Sequence, residues 1–207
     1  DPVTLAALTP GQTVLDLGSG GGIDCFLAGQ RVGPEGHVIG VDMTPAMLEK
    51  ARANKAKIGA DNVEFRLGEI EHLPVPDASI DVIISNCVIN LSTDKPQVFR
   101  EMYRAMRSGG KLAVSDMVTE GTLPDGLKDS LNAWAGCVSG ALDVEEYISG
   151  IKQAGFVDVQ IVPVYLDRDQ VDDAVRQLGG EIQLGGLSKE AVYKSVFSAK
   201  ITAHKPA

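Results

Sequence analysis

"VLDLGSGGG", residues 14–22, is the stretch on which the fold turns. Thr13–Gly18 is an apolar β-type run. The glycines at 18, 20 and 22 follow as a turn, and a short helical stretch continues to about Val32. Glycine removes Cβ where backbone must bend tightly or approach a ligand, and the helix beyond offers free N–H groups. Strand, glycine turn and helix in that order make a nucleotide seat at the carboxyl ends of parallel strands. The dinucleotide pattern is not met, because its third glycine would fall at 23, where Ile23 stands. No Gly-Lys-Ser/Thr follows, which excludes the phosphate loop of nucleotide triphosphatases. Two acids frame the turn. Asp16 lies two residues before the first glycine, and Asp42 ends the next strand, where a carboxylate can accept both ribose hydroxyl protons.

Outward from this turn the chain alternates. Strands are expected at 37–42, 63–69, 80–85 and 111–118. Helices are expected at 46–58, behind Thr44 and Pro45, and at 95–107. The run "IDVIIS" (80–85) is apolar throughout, as a strand buried on both faces should be. Such alternation means a parallel α/β sheet with right-handed crossovers. From about Glu120 to Asp143 the chain turns helical and loop-like and holds its one tryptophan, Trp134. A helix at 144–156 and strands at 157–166 and about 193–204 complete the pattern. The expected division is a core over 1–166, a segment at about 119–142 that covers the substrate, and a C-terminal elaboration over 167–207.

The 207 residues suit one domain, and the net charge of −9 argues against nucleic-acid or anionic-membrane partners. No apolar run is long enough to span a membrane. The chain opens on Asp1 without a signal-peptide pattern and reads as a trimmed piece. Three scattered cysteines make neither a disulfide framework nor a zinc pattern, so reduced thiols in a cytoplasm are expected.

The segment 10–165 resembles the class I S-adenosylmethionine-dependent methyltransferases. The resemblance implies a doubly wound, Rossmann-like, mostly parallel seven-stranded sheet in the order 3-2-1-4-5-7-6, with the last strand antiparallel. It also implies the cofactor-binding set. Asp16, Gly18, Ser19, Gly20 and Gly22 would line the methionine part, Asp42 would hold the ribose, and Met43 would pack on the adenine. Gly68, Glu69 and Ile70 would flank the adenine edge, with Glu69 where the family usually has Asp. Asn86 would offer a backbone carbonyl to the cofactor amine.

The substrate end is marked by sulfur. His37 and His204 read as surface residues, His72 stays open, and none is well placed as a base. Cys25 lies in the first turn of the helix after strand one, where a thiolate should be stabilised. Cys87 lies just past the end of strand four, so both thiols are expected to face the crevice between strands one and four. Cys137 lies in the segment that can fold over the same opening. Each cysteine alone reads as a small core residue. Three convergent thiolates suit a soft, thiophilic centre such as trivalent arsenic, whose lone pair needs no base to attack a sulfonium methyl.

"GGGIDC", "SNCVINL" and "GCVSGAL" resemble, in order, the three cysteine motifs of the arsenite methyltransferases, and "GVDMTPAMLEKA" and "SDMV" fit that family too. The resemblance implies that Cys87 and Cys137 bind arsenic. It implies that Cys25 serves a thiol-exchange cycle, pairing with a further cysteine in an N-terminal segment that this chain does not contain. A thiol reductant such as glutathione or thioredoxin and a monomeric state are expected. Two other readings stand beside it: a small-molecule C- or O-methyltransferase of the quinone-methylating type, and a non-catalytic metalloid-binding module.

Overall fold

A computed structural model describes residues 1–121, 140–165, 168–169 and 194–207. Its centre is a seven-stranded sheet in the order β3-β2-β1-β4-β5-β7-β6, the order expected. The strands are β1 (Thr13–Leu17), β2 (His37–Asp42), β3 (Val63–Leu67), β4 (Ile80–Asn86), β5 (Met106–Thr119), β6 (Val157–Tyr165) and β7 (Val196–His204). The first five run parallel, and β7 runs antiparallel to both β5 and β6. Between β1 and β4 the order reverses, because β2 and β3 extend to one side and β5 to the other. Ligands bind outside strand ends at such a reversal.

The helices are α1 (Pro2–Ala6), α2 (Ile23–Val32), α3 (Pro45–Ile58), α4 (Lys95–Ala105) and α5 (Val144–Gln153), with a 3₁₀ turn at Ile89–Leu91. Two buried clusters lie on opposite faces of the sheet. Cys25, Ala28 and Val32 of α2 and Leu48 and Ala51 of α3 pack on Val14, Val38 and Ile84. Val98, Phe99 and Met102 of α4 and Tyr147 and Ile151 of α5 pack on Leu15, Ile83 and Val114. Strands that are apolar on both sides are thus covered on both sides.

The largest difference from the expected boundaries is where β5 begins. The fourth helix ends at Ala105, and β5 begins at Met106, ahead of "SGG", because Met106 pairs with Ile80 before the register shifts to Val82 and Lys111. The glycines make an irregularity inside the strand, with Gly109 at φ +76°. The short α1, capped by the Asp1 carboxylate accepting from Thr4 N–H at 2.7 Å, was not expected. Trp134 and Cys137 lie outside the described residues.

Candidate active site

The glycine turn closes over the end of β2. Gly18 and Ser19 N–H both donate to Val41 O, at 2.8 and 3.0 Å. Gly18, Gly20 and Gly22 all have left-handed backbone, with φ of +67°, +51° and +92°. Asp42 bridges the turn and the start of α3, its carboxylate accepting from Gly20 N–H at 2.9 Å and from Thr44 N–H at 2.8 Å. Each of its oxygens keeps a lone pair for a ribose hydroxyl.

Beside the turn opens a cleft of about 550 Å³, counted to its mouth. It is lined by Gly18, Asp42, Met43 and Thr44, by Gly68, Ile70 and Glu71, and by Val88, Leu91 and Ser92. Met43 is 71 % exposed. Of the residues expected at the adenine edge, Gly68 and Ile70 line the cleft. Glu69 is exposed and does not. Glu71 does line it; its carboxylate accepts a hydrogen bond from Ser92 Oγ, while its backbone oxygen accepts from Gln97 Nε2 at 3.1 Å. The chain doubles back here, Glu69 pairing with His72, and this turns the side chain at 71 toward the cleft. Nothing in the local sequence distinguishes the two acids.

Cys87 follows the last residue of β4 in left-handed backbone, φ +57°. Such a conformation costs a side-chain-bearing residue about 1 kcal/mol and persists where surroundings enforce it. The surroundings are visible. Cys87 N–H donates to Ser115 O at 2.8 Å, and the next residue, Val88, sits directly on Gly18. A Cβ on Gly18 would stand 2.4 Å from Val88 Cγ2. The thiol-bearing turn and the glycine turn are therefore in van der Waals contact. Asn86, one residue earlier, donates from Nδ2 to Asp24 Oδ2 at 3.2 Å.

Cys25 corrects the expectation. It does not face the crevice with Cys87. It is fully buried in the cluster between α2 and the sheet, and its thiol donates to Asp16 Oδ2 at 3.1 Å. Burial pushes the thiol far above its usual range, and the neighbouring Asp16 adds to this. Desolvation here outweighs the helix N-terminus that was expected to stabilise a thiolate. Asp16 is itself raised to about 8 by burial, against the pull of the Cys25 hydrogen bond. Among the described residues no three His, Cys, Asp or Glu side chains are grouped to hold a metal ion. The histidines do not line the cleft either; His37 pairs with Glu64 at 3.3 Å.

Behind Cys87 lies a buried polar knot that sequence reasoning missed. Asp116 Oδ1 accepts from Asn90 Nδ2 at 2.9 Å and from Met117 N–H at 3.0 Å, and Oδ2 accepts from Tyr147 O–H at 3.3 Å. It ties the 3₁₀ turn, the end of β5 and α5 together. Burial raises Asp116 to about 7, with the donated hydrogen bonds opposing. Between about pH 4 and 7 the folded protein therefore keeps a proton that the unfolded chain has lost, and stability falls as pH rises through that window. Asp116→Asn preserves the shape, since the amide can donate to the Tyr147 oxygen. The variant should gain stability over the parent between pH 4 and 7, by up to about 1.4 kcal/mol per pH unit. Urea unfolding at pH 5 and pH 8 measures this; an unchanged difference would mean Asp116 is ionised throughout.

The same knot receives the returning chain. Gly140 packs so closely on the 3₁₀ turn that a Cβ there would stand 2.0 Å from Asn90 O. Thr119 N–H donates to Leu142 O at 3.0 Å and Gly121 N–H to Asp143 Oδ2 at 2.8 Å. Both described ends flanking residues 122–139 are thus anchored together at the tip of β5.

Similarity to known proteins extends over most of the chain. A family model described as "Methyltransferase domain" matches residues 8–162. An arsenite methyltransferase of Halobacterium salinarum is 48 % identical over all 207 residues, which correspond to 50 % of its own length. A demethylmenaquinone methyltransferase of Listeria monocytogenes is 34 % identical over 65 % of this chain and 56 % of its own. The crystal structure of an arsenic(III) S-adenosylmethionine methyltransferase from Chlamydomonas reinhardtii superimposes with a TM-score of 0.76 at 32 % identity, covering 97 % of this chain and 65 % of that one. The chain spans about half the length of the relatives it matches.

Proposed function

We propose, from the premise that the chain belongs to the methyltransferase domain family, that it moves the methyl group of S-adenosylmethionine onto trivalent arsenic held by Cys87 and Cys137. The observation that carries this is the Cys87 turn. A thiol-bearing residue is kept in left-handed backbone, where glycine would be easier, and its neighbour touches the cofactor turn. The similarity to arsenite methyltransferases over the whole chain supports the same acceptor.

The cleft fits the donor. Gly18 has no Cβ, Asp42 has lone pairs at the ribose position, Met43 stands open to a flat ring, and Glu71 is a carboxylate at the adenine end. When bound, the donor supplies a methyl carbon activated by a sulfonium leaving group. The chain's own work is orientation, which is where such a transfer gains most of its rate. Cys87 and Cys137 would exchange their thiol protons for bonds to arsenic as its hydroxides leave as water. Their turns would hold the arsenic lone pair toward the methyl carbon. Cys137 lies three residues before Gly140, which packs on Asn90, itself three residues after Cys87. Thiols such as glutathione or thioredoxin would return the arsenic from its oxidised, methylated form to the trivalent state. A reducing cytoplasm suits this chemistry, which would serve detoxification by a monomeric enzyme. Among the described residues no helix is long and apolar enough to cross a membrane.

Arsenite titration followed by Trp134 fluorescence tests the binding half, because Trp134 lies three residues from Cys137. Incubating the full-length protein with arsenite, glutathione and S-adenosylmethionine tests the other half. Methylarsenicals are expected. Their absence from a protein that binds S-adenosylmethionine sinks the reading and favours a carbon or oxygen acceptor. Arsenite binding without any S-adenosylmethionine binding would instead identify a sequestering module.

A further inference from the structure

Cys25 stands apart from the two thiols proposed above to hold arsenic, buried beneath the glycine turn. Cys25 projects from the first turn of α2 to within 3.1 Å of Asp16 Oδ2. Around its sulfur three elements converge on Gly40 of β2. A Cβ on Gly40 would stand 2.7 Å from Cys25 Sγ and 2.8 Å from both the Phe65 ring and Ser19 Cβ. The sulfur therefore lies beneath the glycine turn, in the space that the missing Cβ of Gly40 leaves open. Asp16 is 2 % exposed, and among the described residues the Cys25 thiol is its side-chain hydrogen-bond donor. A buried carboxyl that loses its donor must turn or admit water. Two residues after Asp16 the chain enters its left-handed glycines, so any such movement reaches the turn.

We propose that Cys25 is a positioning residue of the methyl-donor site: its thiol holds Asp16 beneath the glycine turn and thereby keeps the turn shaped for a cationic donor. The proposal rests on the methyl-donor reading of the cleft and is independent of arsenic. It gives Cys25 a duty on the donor side of the crevice, distinct from the substrate thiol Cys87.

The test measures S-adenosylmethionine binding by calorimetry in the full chain without arsenite. Cys25→Ser keeps a donor in place and should bind within about threefold of the parent. Cys25→Ala and Cys25→Val remove the donor and should weaken binding about tenfold, the scale of a buried polar group left without its partner. Val fills the volume, so a void cannot account for its loss if Ala fails to fold. Arsenite binding should be the same in all three. In an Asp16→Asn background, Cys25→Val should add no further loss, because the two residues act through one contact. Equal binding by Ser, Val and parent overturns the proposal. So does a Ser variant that loses as much as Val, which would make the role one of packing. Losses from Asp16→Asn and Cys25→Val that multiply overturn it as well. A parent that binds no S-adenosylmethionine overturns the cleft reading and the proposal together.

Discussion

Cys87→Gly should abolish methyl transfer to arsenic while leaving the protein as stable as its parent. The loss of activity should exceed about 100-fold, since a reacting centre that is no longer held loses most of what orientation supplies. The stability side follows from backbone physics. Glycine adopts φ +57° without the penalty of about 1 kcal/mol that a Cβ carries there. Against this stands the lost burial of a small, partly exposed side chain, worth under about 1 kcal/mol. The two nearly cancel, so the melting temperature should move by less than about 4 °C. Cys87→Ser makes the complementary comparison, because it keeps the strain and removes the soft ligand. Methylation retained by the glycine variant would mean the thiol is not a ligand. A collapse in stability would mean Cys87 is there to pack.

Gly18→Ala should have the second large effect, on both folding and donor binding. A new Cβ would meet Val88 at 2.4 Å from Cγ2 and 2.7 Å from Cβ, and φ is +67°. Because Val88 Cβ is fixed to the backbone of the thiol-bearing turn, the clash cannot be relieved by a rotamer change. Strain of about 1 kcal/mol and overpacking of about 1–3 kcal/mol add to a fall in melting temperature of roughly 5–15 °C. Affinity for S-adenosylmethionine should drop at least about tenfold, because the turn must move off Val41 O. Gly59→Ala is the control. Its φ is +65°, but nothing lies within 4 Å of the new Cβ. It should cost about 1 kcal/mol and leave donor binding unchanged. Equal behaviour of the two variants would mean that the Val88 contact has no consequence. The added change Val88→Gly should restore part of the stability lost by Gly18→Ala, since it removes the clash and leaves only the strain.

The sheet and the glycine turn were legible because their signals are local. Strand, glycine turn and helix follow one another within twenty residues, and Asp42 needs only to end the next strand to reach the turn. The misplacement of Cys25 had a readable remedy. Cys25, Ala28 and Val32 are buried at helical spacing on α2, whereas Ile23 and Leu27 are exposed at 74 % and 43 %. The face of the helix, more than proximity to its N-terminus, decides where the thiol lies. The Glu71 side chain at the cleft, and the knot of Asn90, Asp116 and Tyr147, had no such signal.

By itself, then, the sequence determined what depends on neighbours along the chain: the order of strands and helices, the turn that needs glycine, and the acid at the end of β2. The tertiary structure alone decided which way side chains point and what they meet. It buried Cys25 against Asp16, turned Glu71 into the cleft, and set the Cys87 turn on Gly18 through Val88. The reason is physical. Backbone pattern is written by propensity and hydrophobic period over a few residues. The partner of a buried polar group is chosen by contacts between residues tens of positions apart, such as Asp116 with Asn90 and Tyr147, and it exists only once the sheet has brought their strands and helices together.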